Sequence, residues 1–350
     1  MRRSMNALLM ALMLTATGYA CSASNTAGYG AELQGFPYPY PIQHFTFVSQ
    51  GQNLQMSYMD VPPAGQPNGR TAVLMHGKNF CGATWETTIS ALTDAGYRVV
   101  VPDQIGFCAS SKPAYYQYSF QQLSANTMSL LKQLGITHAI LVGHSTGGML
   151  ATRFALMYPE SVEQLVMVNP IGLEDWKALG VPNRTVDQWY ERELKLSADG
   201  VRQYEKSVYY GGRWKPAYER WVDMLAGLNQ GPGHKLVAWN SALIYDMIFT
   251  QPVVYEFPLL KVPTTLMLGD ADTTAIGSDI AAPEIKAKLG RYDVLGKAVI
   301  KRIPRGQLVE FPGLGHAPQI EDPDGFHKAL LKALLPVETN GAGVERSPSH

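Results

Sequence analysis

A lone serine between glycines marks the stretch LVGHSTGGML, residues 141–150. The segment before it, HAILV, is continuously apolar, which is typical of a strand buried on both faces of a parallel sheet. The segment after it, GGMLATRFALMY, has the spacing of a helix. Ser145 is therefore expected at a sharp strand-to-helix turn, where Gly143 and Gly147 permit a close backbone approach and the hydroxyl is presented for chemistry.

A serine hydroxyl is a weak nucleophile at neutral pH, so it needs a base within hydrogen-bond reach and a third group to orient that base. His316 is the preferred base, because it follows the strand-like QLVEFPG in a glycine-rich loop, GLGHAP. That loop is expected at the sheet edge that carries Ser145. His144 is expected to point away from the serine. Asp272, Asp270 and Asp103 are the candidate acids.

The elements that must position these residues alternate between strand-like and helix-like segments, which predicts a mostly parallel sheet with helices on both faces. Four helices are predicted from apolar spacing, over residues 85–95, 120–134, 148–158 and 326–335. The predicted strands, of which the first two form a hairpin, are HFTFVSQ, LQMSYMDV, TAVLMHG, YRVVVPD, HAILVGH, QLVMVNP, TTLMLGD and QLVEFPG. The sequence therefore predicts an α/β core over residues 44–171 and 257–336, with eight strands.

The region 172–256 interrupts this alternation. It has helical character throughout and contains five of the six tryptophans. We interpret it as a helical cap inserted after the strand QLVMVNP, with aromatic side chains that pack it onto the core and line an apolar pocket. Trp176 and Trp214 are candidate substrate contacts, although any one of these rings is better explained as core.

The charge balance and the motifs of the chain limit the partners and cofactors that we expect. Lys plus Arg equals Asp plus Glu at 29 each, so no overall charge points to nucleic acid, and a small-molecule substrate fits better. The sequence has no HExxH motif, no clustered Cys and His spacing and no phosphate-binding loop, so neither a metal nor an organic cofactor is expected. The oligomeric state cannot be derived from these features.

The two ends of the chain predict processing and disorder. Residues 1–23 combine Arg2 and Arg3 with a short apolar stretch and then small residues, which is the pattern of a secretory signal peptide and predicts a periplasmic or secreted protein. The stretch is too short to span a bilayer comfortably. Lipid attachment at Cys21 is the alternative. Residues 24–43 are expected to wrap the surface, and 337–350 to be a disordered tail.

Removal or acylation of Cys21 would leave Cys81 and Cys108 as an even pair. Both follow strands that a right-handed crossover would make neighbours, so a disulfide between them is expected in an oxidising compartment. The alternative is two buried free thiols. Closing a loop of about 27 residues would contribute roughly 3.5 kcal/mol in the loop-entropy model.

Several separated motifs occur in a consistent order: HGKNF at His76, DQIGF at Asp103, GHSTGG at Gly143, GDAD at Gly269 and GHAP at Gly315. Over about residues 44–335 the chain resembles the α/β-hydrolases that carry a cap domain. The resemblance implies the order serine, aspartate, histidine. Asp272 matches the family's G-x-x-D pattern and is preferred to Asp270.

The resemblance also implies roles for the residues around the triad. Asp103 is expected to organise its loop, and His76 to shape the neighbouring loop without taking protons. Backbone N–H groups of Thr146 and Lys78, with Asn79 as an alternative to Lys78, are the expected oxyanion donors. The Lys78 side chain is expected to extend to solvent.

The type of bond that is hydrolysed is harder to infer from the sequence. A serine nucleophile argues against haloalkane dehalogenase and epoxide hydrolase chemistry, which use a carboxylate. HGKNF departs from the HGGPG loop of prolyl iminopeptidases, and carbon–carbon hydrolases of this type act inside the cell. The preferred function is hydrolysis of a carboxylic ester, thioester or lactone with an apolar moiety through an acyl-enzyme. Aminopeptidase activity, carbon–carbon hydrolysis and a catalytically silent ligand-binding member of the fold remain alternatives.

Overall fold

The computed structural model describes residues 28–335. The proposed signal peptide, Cys21 and the C-terminal tail lie outside the described residues. Eight strands form one sheet in the order β1-β2-β4-β3-β5-β6-β7-β8. Their bounds are β1 Ile42–Ser49, β2 Gln52–Val61, β3 Thr71–Met75, β4 Arg98–Pro102, β5 Ala139–His144, β6 Val162–Val168, β7 Thr264–Gly269 and β8 Gly306–Phe311. The predicted fold class is confirmed.

The sheet is antiparallel at one edge and parallel elsewhere. The β1–β2 hairpin pairs antiparallel with β4, and the remaining neighbours run parallel. All six residues of β5 and of β7 are buried, as expected for strands covered by helices on both faces. Because parallel strands end at the same edge, the loops after β3, β5, β6, β7 and β8 gather there.

Eleven α-helices occur among the described residues. They are α1 Glu86–Asp94, α2 Phe120–Gln133, α3 Thr146–Met157, α4 Val186–Glu193, α5 Ala198–Tyr204, α6 Glu219–Gln230, α7 His234–Thr250, α8 Pro283–Lys286, α9 Tyr292–Ile300, α10 Pro318–Glu321 and α11 Pro323–Ala333. The four helices predicted in the core correspond to α1, α2, α3 and α11. Helices α8, α9 and α10 were not predicted.

The segment between β6 and β7, which we call the inserted region, is helical for much of its length and contains α4 to α7. A π-helical turn, Glu205–Tyr209, directly follows α5. Trp176 is 3% exposed and lies in the main core, and Trp214 packs edge-on against Tyr210 and Tyr218. These positions favour a packing role for both tryptophans.

The segment before β1 is more than a surface wrap. Leu33 is 2% exposed and belongs to the main core cluster. The Tyr29 N–H donates to the Gly227 carbonyl at 2.9 Å, so this segment binds α6 of the inserted region. Gly231 allows the approach, because a Cβ there would lie 1.7 Å from the Tyr29 carbonyl oxygen. The N-terminal segment therefore packs against α6 of the inserted region.

Candidate active site

Ser145 sits at the turn between β5 and α3 with φ 57° and ψ −121°, a conformation that non-glycine residues rarely adopt. A Cβ on Gly143 would lie 2.2 Å from the Gly147 carbonyl oxygen, and one on Gly147 would lie 2.2 Å from that of Met75. Both glycines are therefore required sterically, as the sequence predicted. The Ser145 N–H donates to the Val168 carbonyl at 3.1 Å, which fixes the strained turn to β6.

The structure brings Asp272 and His316 together. Their Oδ2 and Nδ1 atoms are 2.7 Å apart, and both side chains are fully buried. The Asn169 amide donates to the same oxygen at 3.0 Å. The other oxygen accepts from the N–H and the hydroxyl of Thr274, at 2.8 and 2.7 Å. A carboxylate held by these donors can fix the tautomer of the imidazole and stabilise its protonated form.

The two other candidate acids, Asp270 and Asp103, bind backbone N–H groups of nearby loops. Asp270 accepts the N–H of Gly313 at 2.6 Å, on the loop that leads to His316. Asp103 accepts N–H bonds from Gly82 and Ala109 at 2.7 and 3.1 Å, which agrees with its expected organising role. Neither carboxylate pairs with His316.

Both backbone groups of His316 are hydrogen-bonded. Its N–H donates to the Tyr209 carbonyl at 2.8 Å, and its carbonyl accepts from Nε2 of His144 at 2.8 Å. His144 therefore has a positioning contact that sequence reasoning missed. Burial, with the neighbouring His316, holds the pKa of His144 well below its ordinary value, so this side chain is a neutral donor.

Nε2 of His316 has no hydrogen-bond partner among residues 28–335. The Ser145–His316 bond expected of a nucleophile and its base is thus not formed in this arrangement. Such bonds are often long in ligand-free enzymes and tighten on substrate binding. The ring of His144, which adjoins Ser145 in the chain, lies 4.9 Å from the His316 ring. The three predicted triad residues thus gather at one sheet edge.

The loop after β3 lies against the serine. A Cβ on Gly77 would be 2.8 Å from Ser145 Cβ and 3.3 Å from Oγ. The Phe80 N–H donates to the Gly77 carbonyl at 3.2 Å, which closes a turn that does not use the Lys78 N–H. Thr146 is the first residue of α3, so its N–H has no partner within that helix. Of the two predicted oxyanion donors, Thr146 directly follows Ser145 in the chain, and Lys78 directly follows Gly77, which packs on Ser145.

His76 organises this loop. Its Nδ1–H donates to the Gly77 carbonyl at 2.8 Å, and its Nε2 accepts the Gln104 N–H at 3.1 Å. Burial lowers the pKa of His76, so the neutral tautomer is favoured. Both ring nitrogens are occupied by backbone groups, which leaves none to take a proton from Ser145.

The expectation that the Lys78 side chain extends to solvent is wrong. Its Nζ lies 2.9 Å from Glu193 Oε2, with only 11% of the side chain exposed. The ammonium also sits 3.8 Å from the ring centroid of Tyr245. The Lys78 ammonium therefore binds an acid and an aromatic ring of the inserted region instead of water. The composition of the loop gives no sign of these two partners.

The inserted region covers the sheet edge that holds Ser145 and His316. The ring of Tyr209 stacks on the His316 imidazole with centroids 4.6 Å apart, and the Asn79 amide donates to its hydroxyl at 2.9 Å. Ser145 and His316 are 4% and 0% exposed. A cavity of about 280 Å³ lies beside this cover, with Lys78 and Asn79 in its wall.

A pair of cysteine sulfurs lies close to this loop. Sγ of Cys81 and of Cys108 are 1.98 Å apart, with Cα atoms 5.7 Å apart. With Asp103 they form the one cluster of described residues that has metal-ligand spacing. Disulfide bonding of the two sulfurs would occupy both, and Asp103 already binds backbone N–H groups. No helix within residues 28–335 is long and apolar enough to cross a membrane.

The fold and the serine turn define a class of hydrolytic enzymes, and comparisons with known proteins support it. Residues 72–215 match the family model described as the alpha/beta hydrolase fold. The crystal structure of a probable hydrolytic enzyme from Pseudomonas aeruginosa PAO1 is 61% identical, with a TM-score of 0.87 over 88% of this chain and 99% of that one. The chain belongs to the α/β-hydrolase family and is a hydrolase.

More distant relatives carry names for different reactions. A candidate carbamate hydrolase from Serratia proteamaculans is 28% identical over 298 residues, covering 83% of this chain and all of that protein. Lipase 1 from Psychrobacter immobilis is 27% identical over 265 residues, covering 73% of this chain and 74% of the lipase. The family relationship therefore leaves the substrate open.

Proposed function

We propose that the protein is a serine hydrolase that cleaves a carboxylic ester, thioester or lactone with an apolar moiety through an acyl-enzyme. The observation that carries this proposal is the buried Asp272–His316 pair at the sheet edge that holds the strained Ser145 turn. An acid that is fully removed from water and fixed by four contacts is organised for one orientation of the imidazole.

The arrangement supports a two-step mechanism. His316 Nε2 takes the proton from Ser145 as Oγ attacks the carbonyl carbon, and Asp272 stabilises the resulting imidazolium. The N–H groups of Thr146 and Lys78 receive the developing oxyanion, each contributing about 3 kcal/mol. Collapse expels the alcohol, which takes the proton from His316. Water then attacks the acyl-enzyme by the same sequence and releases the acid.

An ester is favoured over an amide because the leaving alkoxide needs less protonation than an amine does. The HGKNF loop also differs from the glycine-rich loop of the iminopeptidases. Carbamate hydrolysis is the main competing reaction, since several relatives bear that name. A carbamate would pass through the same acyl-transfer steps, so only turnover can separate the two.

Replacement of Ser145 by Ala should abolish the activity, with a loss of at least about 10³-fold in kcat. We would incubate the wild type and Ser145→Ala with a fluorophosphonate, with nitrophenyl esters of varied chain length, and with the matched nitrophenyl carbamate. Preferred turnover of the esters and labelling of the wild type alone are expected. Ser129→Ala, at an exposed position on α2, is the matched control and should behave as wild type.

Equal labelling or equal turnover by Ser145→Ala would contradict the proposal. The same assay tests the base: His316→Ala should lose more activity than His76→Ala, because both His76 nitrogens are bound to backbone groups. The reverse ranking would mean that the base has been misassigned. Faster turnover of the carbamate would overturn the ester assignment alone.

A further inference from the structure

The cavity beside the catalytic edge has a mixed wall. Its volume is about 280 Å³, and it lies between the loop after β3 and the inserted helices. Leu196, Val201 and Leu225 give it an apolar surface, and Lys78 and Asn79 connect it to the catalytic loop. Such a cavity is large enough to hold the acyl chain of a small ester. One residue of its wall, Glu205, is chemically unusual.

Glu205 is 1% exposed, and neither carboxyl oxygen has a hydrogen-bond partner among the described residues. The four other buried carboxyl side chains of the described chain all accept hydrogen bonds; they are Asp103, Glu193, Asp272 and Glu321. A buried carboxyl group without a partner costs several kcal/mol of desolvation in the ionised form, and about 1–3 kcal/mol even when neutral. Glu205 belongs to the cavity wall, but both oxygens are closed off from solvent, so a ligand reaches them only after the side chain turns into the cavity. A group kept at this cost beside a cavity is a candidate ligand contact.

The surroundings of Glu205 favour its neutral form. The charged group that acts on it is Glu219 of α6, which is itself paired with Arg202. From its own segment it neighbours the aromatic residues Tyr209 and Tyr210. Burial, followed by the charge of Glu219, raises the pKa of Glu205 to about 8. At neutral pH the side chain is therefore a carboxylic acid that can donate one hydrogen bond and accept others.

The other charged groups of the wall argue against a cationic ligand. Lys78, Arg192 and Lys195 line the cavity together with one acid of opposite sign, Glu193. With Glu205 protonated, the wall carries three positive charges and one negative charge, a net charge of +2. An ammonium group would be repelled by this excess, whereas an uncharged oxygen would not.

The local backbone connects the cavity to the catalytic base. Glu205 begins the π-helical turn that ends at Tyr209, whose ring stacks on His316. Single π-helical turns are rare and occur frequently at functional sites. A ligand atom bound to Glu205 would thus lie within one helical turn of the residue that covers the base.

We propose that Glu205 is a specificity-determining residue that binds an uncharged oxygen, such as a ketone, ether or hydroxyl oxygen, in the acyl part of the substrate. The inference rests on the proposed ester hydrolysis and adds the substrate class: acyl chains that are oxygenated away from the scissile carbonyl. The carboxylic acid donates to that oxygen, and the apolar wall contacts the rest of the chain.

Matched nitrophenyl esters test this inference. We would compare kcat/KM for nitrophenyl hexanoate, for its 4-oxo and 5-oxo derivatives and for the 6-amino derivative. For the wild type, at least one oxo ester should be preferred to hexanoate by about 10-fold at pH 7, the value of one well-formed hydrogen bond. Glu205→Leu should remove this preference, and Glu205→Gln, which keeps a donor, should retain most of it.

The pH dependence of the preference for oxo esters distinguishes a hydrogen bond from Glu205 from nonspecific packing. Because the acid donates only when protonated, the wild-type preference should fall as the pH rises through about 8. The preference of Glu205→Gln should stay constant over the same range. Glu191→Gln, at an exposed position of α4, is the matched control and should keep the wild-type pH dependence.

Any other outcome overturns either this inference or the proposed function. An oxo preference that persists in Glu205→Leu, or its absence in the wild type, would overturn the inference. Preference for the amino ester, lost in Glu205→Gln, would show that the residue binds a cation. In these cases Ser145-dependent hydrolysis of hexanoate would still support the proposed function. Absence of Ser145-dependent turnover of every ester would instead refute the proposed function.

Discussion

Asn169 shows how much depends on a single side chain at a strand end. Asn169 follows β6 at this edge, but it cannot itself be the acid of a triad, because an amide cannot carry the negative charge. The structure gives it φ 36° and uses its amide to donate to the Asp272 carboxylate and to the Gly269 carbonyl. Its Oδ1 also accepts the Gly269 N–H at 2.9 Å. Asn169 therefore joins the ends of β6 and β7 around Asp272 and is proposed as a positioning residue.

Replacing Asn169 by Asp should change the pH dependence of hydrolysis. The substitution exchanges a donor 3.0 Å from Asp272 Oδ2 for a second carboxylate, which favours the protonated imidazole of His316. We expect kcat/KM to fall at neutral pH by about 10-fold or more, and the acid limb of its profile to move to higher pH. Measuring kcat/KM from pH 5 to 10 checks this.

Asp270→Asn is the matched control, since Asp270 binds the loop at Gly313 and does not contact His316. Its profile should keep the wild-type limb. An unmoved acid limb in Asn169→Asp would show that the amide has only a structural role.

Residue types alone predicted part of this site. The motif spacing indicated Ser145 and His316, and the family resemblance favoured Asp272 among three candidate acids; the structure brings these three residues to one edge. The contacts of Thr274, His144 and Asn169 could not be predicted, because each depends on which loops meet at that edge. Lys78 illustrates the same limit, since its partner Glu193 is 115 positions away in the sequence.

At the scale of elements, strands were easier to predict than helices. Buried parallel strands such as β5 and β7 consist of uninterrupted apolar residues, and this pattern depends little on context. Helices α8 and α10 have four residues each, too few to show a helical period. The π-helical turn after α5 has no sequence signature at all, although it supplies both Glu205 and Tyr209.

The ring of Tyr209 should limit access to Ser145, the proposed nucleophile. It stacks on His316 and is held by the Asn79 amide. Tyr209→Ala should therefore increase the rate of Ser145 labelling by a bulky fluorophosphonate, by about 10-fold if the lost contacts are worth about 1.4 kcal/mol. Tyr209→Phe, which keeps the ring and loses one hydrogen bond, should give a smaller increase. Labelling rates measured under pseudo-first-order conditions check this ranking.

An unchanged labelling rate in Tyr209→Ala would mean that the ring does not control access. A slower rate would indicate that its stacking contact is needed to hold the imidazole in position. The unaltered Tyr209 backbone carbonyl, which binds the His316 N–H, makes Ala an appropriate replacement.

At the scale of the whole molecule, we propose that the protein is exported and that Cys81 and Cys108 form a disulfide. The N-terminal pattern and the two facing sulfurs support this. The loop closed by the bond spans 27 positions, so the double variant Cys81→Ser/Cys108→Ser should lose roughly 3.5 kcal/mol of unfolding free energy. Urea unfolding of both proteins, with thiol titration of the unreduced wild type, measures this.

Reducing agent should lower the stability of the wild type towards that of the double variant, and should leave the double variant unchanged. Two titratable thiols in the folded, unreduced protein would contradict the disulfide. Recovery of the protein only from the cytoplasmic fraction would contradict export.

The hydrogen bond between the Tyr209 carbonyl and the His316 amide bears on how the specificity of this enzyme can be engineered. Exchanging the whole segment between β6 and β7 for that of a relative is an obvious way to change which molecules are accepted. Here such a chimera would also lose a hydrogen bond that anchors His316, the proposed proton acceptor. A donor segment should therefore supply a carbonyl at the same point, or the hybrid will bind new compounds without turning them over.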